Sequence, residues 1–420
     1  MNIAMLVYEF PPRIVGGLGT YAQEIAPSIV KFGHDVTLFT LNDGKLLTKE
    51  NWHGVEVHRP LIADFSDFYP TICPDLHGWG VGVKFFSDIM TYNVLSTTKL
   101  INDLIKKDGR RYDLVCAHDW LSFPGGLAIK KETGLPLVVH FHSTERGRAL
   151  HGTGSPIINS LEAEAARRAD LIITVSYAMR DELIGLKFPE AKIRVCWNGV
   201  DANKYDPSKI RAEEIRKLRE KYEIKDDWQM ILFVGRLVAV KGVDRMILAM
   251  PDIIKKQPKT KLVVVGIGEM LRSLGNLVQN LKLENHVIFK AEFIPENERI
   301  LHYAACDVAV FPSLYEPFGI VSLEAMSMGK PVVVGAAGIS GMREQVVPSG
   351  SEQCGIHINP QDPNDIAWGV LSVLNDKSVA KTMGANARQR VLKYFTWDIA
   401  TKCTLRVYEE LVKKGELILD

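Results

Sequence analysis

Asp307-Val-Ala-Val-Phe-Pro-Ser313, then Leu-Tyr-Glu316-Pro-Phe-Gly319, then Ile320-Val-Ser-Leu-Glu324-Ala-Met-Ser-Met-Gly-Lys-Pro331 form one continuous stretch whose reading decides the fold. The apolar run ending at Pro312 predicts a buried strand, and Pro317 and Gly319 predict a turn. Ile320 to Met328 predicts a helix that Gly329 and Pro331 stop. A helix that starts there aims the backbone N–H groups of Phe318, Gly319 and Ile320, with the positive end of its dipole, at whatever lies in front of the sheet. Glu324 is the only charged residue of that helix, whose apolar side chains cover nearly its whole circumference. A carboxylate buried there needs donors. Glu316 belongs to the loop itself, so the segment offers two carboxylates and an anion cradle. A solvated Glu316, and a Glu324 paired with a nearby Lys or Arg, would be the purely structural account.

Glu-Pro-Phe-Gly followed by a helical Glu resembles the signature of the retaining glycosyltransferases with the GT-B fold, the relatives of glycogen and starch synthases. The resemblance implies Glu316 beside the reacting sugar, Glu324 on the nucleotide ribose, and the amides of Phe318, Gly319 and Ile320 on the diphosphate.

A chain of 420 residues is long for a single core, so two domains are expected. A net charge of +1 gives no electrostatic reason to expect nucleic acid or an anionic membrane as partner. The cysteines at 73, 116, 196, 306, 354 and 403 show no close pair along the chain. They predict reduced packing residues rather than a disulfide framework or a zinc site. No apolar run reaches the ~18 residues of a membrane span, and no signal peptide is seen, so a cytoplasmic protein without membrane insertion is expected.

The opening reads as a βαβ unit, with a strand from Ile3 to Tyr8, a loop from Glu9 to Gly19, a helix from Thr20 to Phe32 and a strand from Asp35 to Thr40. The loop carries Gly16-Gly17, which lets the backbone approach a ligand closely. Seven residues separate Tyr8 from Gly16, which does not match the dinucleotide-binding glycine fingerprint. The same loop resembles the glycine motif of the synthase family, which closes over the donor phosphates. Starch synthases proper carry a Lys two places before the glycine pair, where this chain has Ile14, a departure that points to the broader relatives. Residues 42–112 are less regular, with a helix from Asn93 to Lys106, and their histidines lack metal-ligand spacing.

Strands from Leu114 to Ala117 and Leu137 to Phe141 end in His118-Asp119-Trp120 and His142-Ser143-Thr144. Polar groups at the carboxyl ends of parallel strands line the crevice of an open α/β sheet. By resemblance, His118 and Asp119 are acceptor-side residues, and His142, rather than His140, contacts the donor hexose. After Trp197-Asn198-Gly199 and the charged run from Asp206 to Asp227, a second unit opens with a strand from Met230 to Val234, followed by Arg236 and Lys241. Two cations past a strand end can neutralise a leaving diphosphate through charge-assisted hydrogen bonds. The family places an Arg and a Lys on the donor phosphates at this spacing. Phe293 and Ile294 match family positions that meet the base through backbone atoms.

The expectation is therefore an α/β protein of two facing doubly wound, Rossmann-like domains with a crevice between them. Residues 1–200 form the acceptor side, 201–394 the nucleotide-sugar side, and a last helix over 395–420 returns to the first. His142, Glu316, Arg236 and Lys241 are the expected catalytic groups. No cofactor and no metal are expected, because the chain has no Asp-x-Asp and the cations supply the positive charge. The implied reaction moves glucose from ADP- or UDP-glucose, with retention, to the non-reducing end of an α-1,4-glucan. Transfer to a small acceptor such as a sugar phosphate, use of another nucleotide sugar, a nucleotide-sugar epimerase and a two-lobed sugar-binding module are the alternatives.

Overall fold

The computed structural model describes residues 1–80, 82–150 and 152–419, the last six of these by backbone only. The chain divides into two units. The first comprises Met1–Val175, Arg180–Cys196 and Ala400–Asp420, and the second Ser176–Met179 and Trp197–Ile399.

Among the described residues the first unit holds eight strands: β1 (Asn2–Leu6), β2 (Asp35–Phe39), β3 (Lys49–Trp52), β4 (Val55–His58), β5 (Leu114–His118), β6 (Leu137–Phe141), β7 (Leu171–Thr174) and β8 (Ile193–Val195). Their order is β3-β4-β2-β1-β5-β6-β7-β8, parallel except for the β3–β4 pair. Central strands such as Leu114–His118 and Leu137–Phe141 are buried along their whole length, as strands covered on both faces must be. The winding reverses between β1 and β5, so the loops after these strands diverge and leave a crevice at their carboxyl ends.

Three local readings change here. The first helix spans Gly17–Lys31, so the glycines read as loop form its first turn, with Gly16 as the cap. The helix expected from Asn93 starts at Gly82, and Val83, Phe86, Ile89 and Asn93 form its buried stripe. The β3–β4 hairpin is also unforeseen. It is short and half-exposed, and Arg59 just beyond it is buried, with Nη2 2.6 Å from Glu50 and donating to Pro11 O at 2.7 Å. That arginine ties the hairpin to the Glu9–Gly16 loop.

The second unit holds β9 (Gln229–Val234), β10 (Thr260–Val265), β11 (Val287–Lys290), β12 (Val308–Phe311), β13 (Val332–Gly335) and β14 (Gly355–Ile358). All pairs are parallel, in the order β11-β10-β9-β12-β13-β14. Numbered from its own first strand, this is the 3-2-1-4-5-6 order of a dinucleotide-binding domain. Its core packs the helices Val243–Lys256 and Pro363–Leu374 on the sheet through Met246, Ile247, Met250, Ile366 and Val370. The winding reverses between β9 and β12, so the loops carrying Arg236 and Lys241, and Glu316, flank one switch point.

Candidate functional site

In the second unit, the loop after β9 is pinned to the loop after β12. Gly242 has φ +65°, and a Cβ there would lie 2.1 Å from Pro312 O, so only glycine allows the approach. Leu314 N donates to Val240 O at 2.8 Å. The pairing delivers the Lys241 ammonium to Glu316 Oε2, which also accepts from Ser313 Oγ at 3.3 Å. Glu316 is 7% exposed, and its Oε1 accepts nothing among the described residues. An ammonium has three donors, so Lys241 keeps two for a ligand. Arg236, on the same loop, is exposed and pairs with nothing among the described residues.

Gly319 caps the helix Ile320–Ser327 at φ +88°, a conformation that suits glycine and turns the chain sharply into the helix. The N–H groups of Phe318, Gly319 and Ile320 donate to nothing among the described residues, while Gln345 Nε2 fixes the loop from behind by donating to Phe318 O at 2.7 Å. Three free amides at the head of a buried helix, on the loop whose Glu316 pairs with Lys241, can accept an anion.

Glu324 accepts three hydrogen bonds. Oε1 accepts from Tyr205 Oη at 2.9 Å and Arg299 Nη2 at 3.2 Å, and Oε2 accepts from Tyr303 Oη at 2.9 Å. Burial works against the Arg299 charge, and the Glu324 carboxylate outweighs it, holding the guanidinium above its ordinary range. Burial likewise pushes the Tyr205 and Tyr303 phenols up, so both remain donors. Tyr205, Arg299 and Tyr303 carry no spacing signal toward Glu324 and were missed from sequence; Ser313, three residues before Glu316, was within reach of a turn argument. Phe293 is 78% exposed and Ile294 buried in the loop after β11.

In the first unit, adjacent strands bring three imidazoles together. His118 and His140 are register partners on β5 and β6, and His142 follows two residues on. His118 Nδ1 lies 3.1 Å from His142 Nε2, His140 Nε2 lies 2.9 Å from Tyr408 Oη, and Tyr21 packs on His142 at 4.6 Å between ring centroids. Burial pushes all three down, His142 to about 3, so they are neutral. Only His142 keeps a solvent-accessible edge. His118, expected to touch an acceptor, is fully enclosed with Nε2 unpartnered, and what it does is hold the His142 ring. Asp119, at φ +54° and 4% exposed, accepts from His142 N at 2.7 Å and thereby sets the turn that presents His142. Burial raises its carboxyl to about 6, against Arg148 and the amides of His142 and Ser143.

The glycine loop differs from expectation in one contact. Glu9 Oε2 accepts from Val15 N and Gly16 N, each at 3.1 Å, so the Gly16 amide is occupied. Gly17 remains free at the helix start, with no side chain or backbone within 4 Å of where its Cβ would stand. Cys116, His118 and His140 bring a sulfur and two ring nitrogens within 4.8 Å of one another. Burial pushes the Cys116 thiol up to about 12, so it stays protonated.

Residues 15–204 match the family Glycosyltransferase Family 4, and residues 214–390 match Glycosyl transferases group 1. An uncharacterised glycosyltransferase of Methanocaldococcus jannaschii is 34% identical over 97% of this chain and 98% of its own length. A glycogen synthase of Mycobacterium tuberculosis is 30% identical over 99% of this chain and 96% of its own. A D-inositol 3-phosphate glycosyltransferase of Kineococcus radiotolerans is 29% identical, over 95% and 91%. Among solved structures, sucrose-phosphate synthase of Thermosynechococcus elongatus superimposes with a TM-score of 0.79 at 24% identity, covering 98% of this chain and 99% of that one. Two parallel-sheet Rossmann-like domains, the glutamate pair on the β12 loop and helix, and similarity along the whole length place the chain in group 1, family 4, of the GT-B nucleotide-sugar glycosyltransferases.

Proposed function

We propose that the protein transfers glucose from ADP- or UDP-glucose to the non-reducing end of an α-1,4-glucan, with retention at the anomeric carbon and without a catalytic metal. The observation that carries the reading is the Lys241–Glu316 pair at the sheet switch point, with Arg236 on the same loop as Lys241 and the free amides of Phe318, Gly319 and Ile320 just after Glu316. As the bond to the anomeric carbon breaks, negative charge grows on the departing diphosphate. Fixed cations and amides that already point there stabilise it without reorganising. Lys241 and Arg236 take the phosphate oxygens. Glu316, anchored by Lys241 and Ser313 through Oε2, turns Oε1 to the hexose, where positive charge develops. His142, neutral and held by His118 and Asp119, takes a hexose hydroxyl, and Gly17 lets the backbone close on the donor.

Glu324 keeps one unused lone-pair direction after its three hydrogen bonds, which limits it to a single ribose contact. Phe293 and Ile294 meet the base through their backbone. The glucan acceptor follows the glycogen synthase relative; the inositol-phosphate glycosyltransferase relative favours a second reading, a small phosphorylated acceptor. Among the described residues no helix is long and apolar enough to cross a membrane.

The test incubates the protein with labelled ADP-glucose and UDP-glucose, alone, with glucan and with sugar phosphates, and follows the product's anomeric configuration by NMR. Label entering glucan as an α-linkage supports the reading. Transfer to sugar phosphate alone replaces it with the second reading, and conversion of the sugar on its nucleotide without an acceptor overturns both.

A further inference from the structure

The six cysteines show no close pair in sequence, yet the fold brings two of them into contact across 207 residues. Cys196 ends the segment of the first unit that leads into the second, and Cys403 lies on the helix Trp397–Leu419, three residues after Ala400, where the chain re-enters the first unit. Their Sγ atoms are 3.2 Å apart, and either can donate a hydrogen bond to the other. This proximity is built in. Two residues before Cys196, Arg194 forms a two-pronged ion pair with Glu410, at 2.8 and 3.3 Å. Glu410 is two helical turns beyond Cys403, on the same face of the helix, so β8 and the helix are held in register and the sulfurs cannot drift apart. Cys403 Sγ also lies 3.7 Å from Val195 O.

The two thiols are unequal. Cys403 is half-buried and Cys196 is buried. The Cys196 hydrogen bond pulls the Cys403 thiol down to about 7 against the opposing effect of burial, and Arg406 adds to the pull. Cys116, Cys306 and Cys354 are buried, and burial pushes their thiols up. One cysteine is thus placed to attack and the other to resolve.

We propose that Cys196 and Cys403 form a reversible disulfide by exchange with a low-molecular-weight disulfide such as oxidised glutathione. The Cys403 thiolate attacks one sulfur of glutathione disulfide and expels a glutathione thiolate, leaving a mixed disulfide on Cys403. Cys196 then gives up its proton and attacks the Cys403 sulfur, expelling the second glutathione. Two protein thiols are oxidised by two electrons, and one disulfide is reduced to two thiols. The product joins the chain on either side of the whole segment 197–402. That closes a long loop in the unfolded ensemble and raises the unfolding temperature.

The test exposes the full chain to oxidised glutathione, quenches with acid, alkylates under denaturing conditions and maps peptides by mass spectrometry. The expected result is loss of two of the six thiols in a linked Cys196–Cys403 peptide, reversed by dithiothreitol, with a higher thermal midpoint for the oxidised form. Cys196→Ser should stop at the glutathione adduct on Cys403. Cys403→Ser should leave Cys196 unmodified. A wild-type protein that accumulates the Cys403 adduct without the cross-link, that keeps both thiols, or that links either cysteine to another partner overturns the proposal.

Discussion

At the strand ends of the first unit, burial keeps three imidazoles uncharged and lifts the Asp119 carboxyl to about 6, whereas at those of the second unit buried carboxylates pair with Lys241 and Arg299. The same architecture, a parallel sheet with a reversal of winding, thus builds two different electrostatic environments. A hexose is neutral, and under the proposed function its hydroxyls would meet neutral rings. A nucleoside diphosphate is an anion whose charge shifts during reaction, and it needs cations that are already desolvated. With no ligand bound, the half-buried Lys241 is compensated by Glu316 and the half-buried Arg299 by Glu324, whereas the exposed Arg236 is left to solvent.

The strongest way to break this comparison is to remove one partner of a compensated pair. Lys241→Ala leaves Glu316 as an uncompensated buried charge, which should cost about 3–5 kcal/mol of stability and reduce kcat by two orders of magnitude or about that. The double variant Lys241→Met with Glu316→Gln should regain most of the stability in urea titration while its kcat stays low. Recovery of both would mean that the pair serves only the fold.

Glu324→Gln should remove the ion pair with Arg299 and cost roughly 2–4 kcal/mol, read as a lower thermal midpoint. Because one lone-pair direction is left for a ribose, nucleoside diphosphate affinity in the surviving folded protein should fall by less than about tenfold. A loss of affinity with an unchanged midpoint would make Glu324 chiefly a ligand-binding group.

Arg236→Ala touches no partner among the described residues, so stability should change by no more than about 0.5 kcal/mol. The lost charge-assisted contact, worth about 1.5–3 kcal/mol, should appear mainly in kcat. A wild-type kcat would remove Arg236 from the phosphate site.

The neutral cluster is probed by pH. The unfolded chain protonates an imidazole near pH 6.5 and the folded cluster does not, so each of the three contributes stability that is full above pH 6.5 and lost as pH falls below it. The slope is about 1.4 kcal/mol per pH unit per imidazole. Asp119, raised to about 6, acts in the opposite direction between pH 3.8 and 6, equally in wild type and variant. His140→Gln should therefore be less stable than wild type at pH 7.5, through loss of the Tyr408 contact, with the gap narrowing toward pH 5.5. A constant gap in urea midpoints would mean that His140 titrates as it does in water.

Much of this was legible in sequence where physics is local. Strand, turn and helix around Glu316 follow from apolar runs and the positions of Pro317, Gly319 and Gly329. Arg236 and Lys241 were singled out because two cations follow a strand end at the spacing of the resembled family. The β3–β4 hairpin and the early start of the Gly82–Thr98 helix were not found, because a half-exposed hairpin has a weak alternation and Gly80 and Gly82 obscure a helix start. Gly17–Gly19 looked like loop for the same reason, since glycine favours a helix only when its neighbours and cap enforce one.

The sequence by itself determined the class of fold, the two-unit plan and the residues that carry charge and glycine at strand ends, since side-chain periodicity and backbone freedom are properties of neighbouring residues. The tertiary structure alone decided which of those residues meet. It set Lys241 against Glu316 through the close approach of Gly242 to Pro312, enclosed Glu324 with Tyr205, Tyr303 and Arg299, and buried His118 behind His142. It also drew Cys196 and Cys403 together from opposite sides of an entire unit. Strand order governs these encounters, and strand order is set by how the whole sheet buries its apolar surface rather than by any local signal.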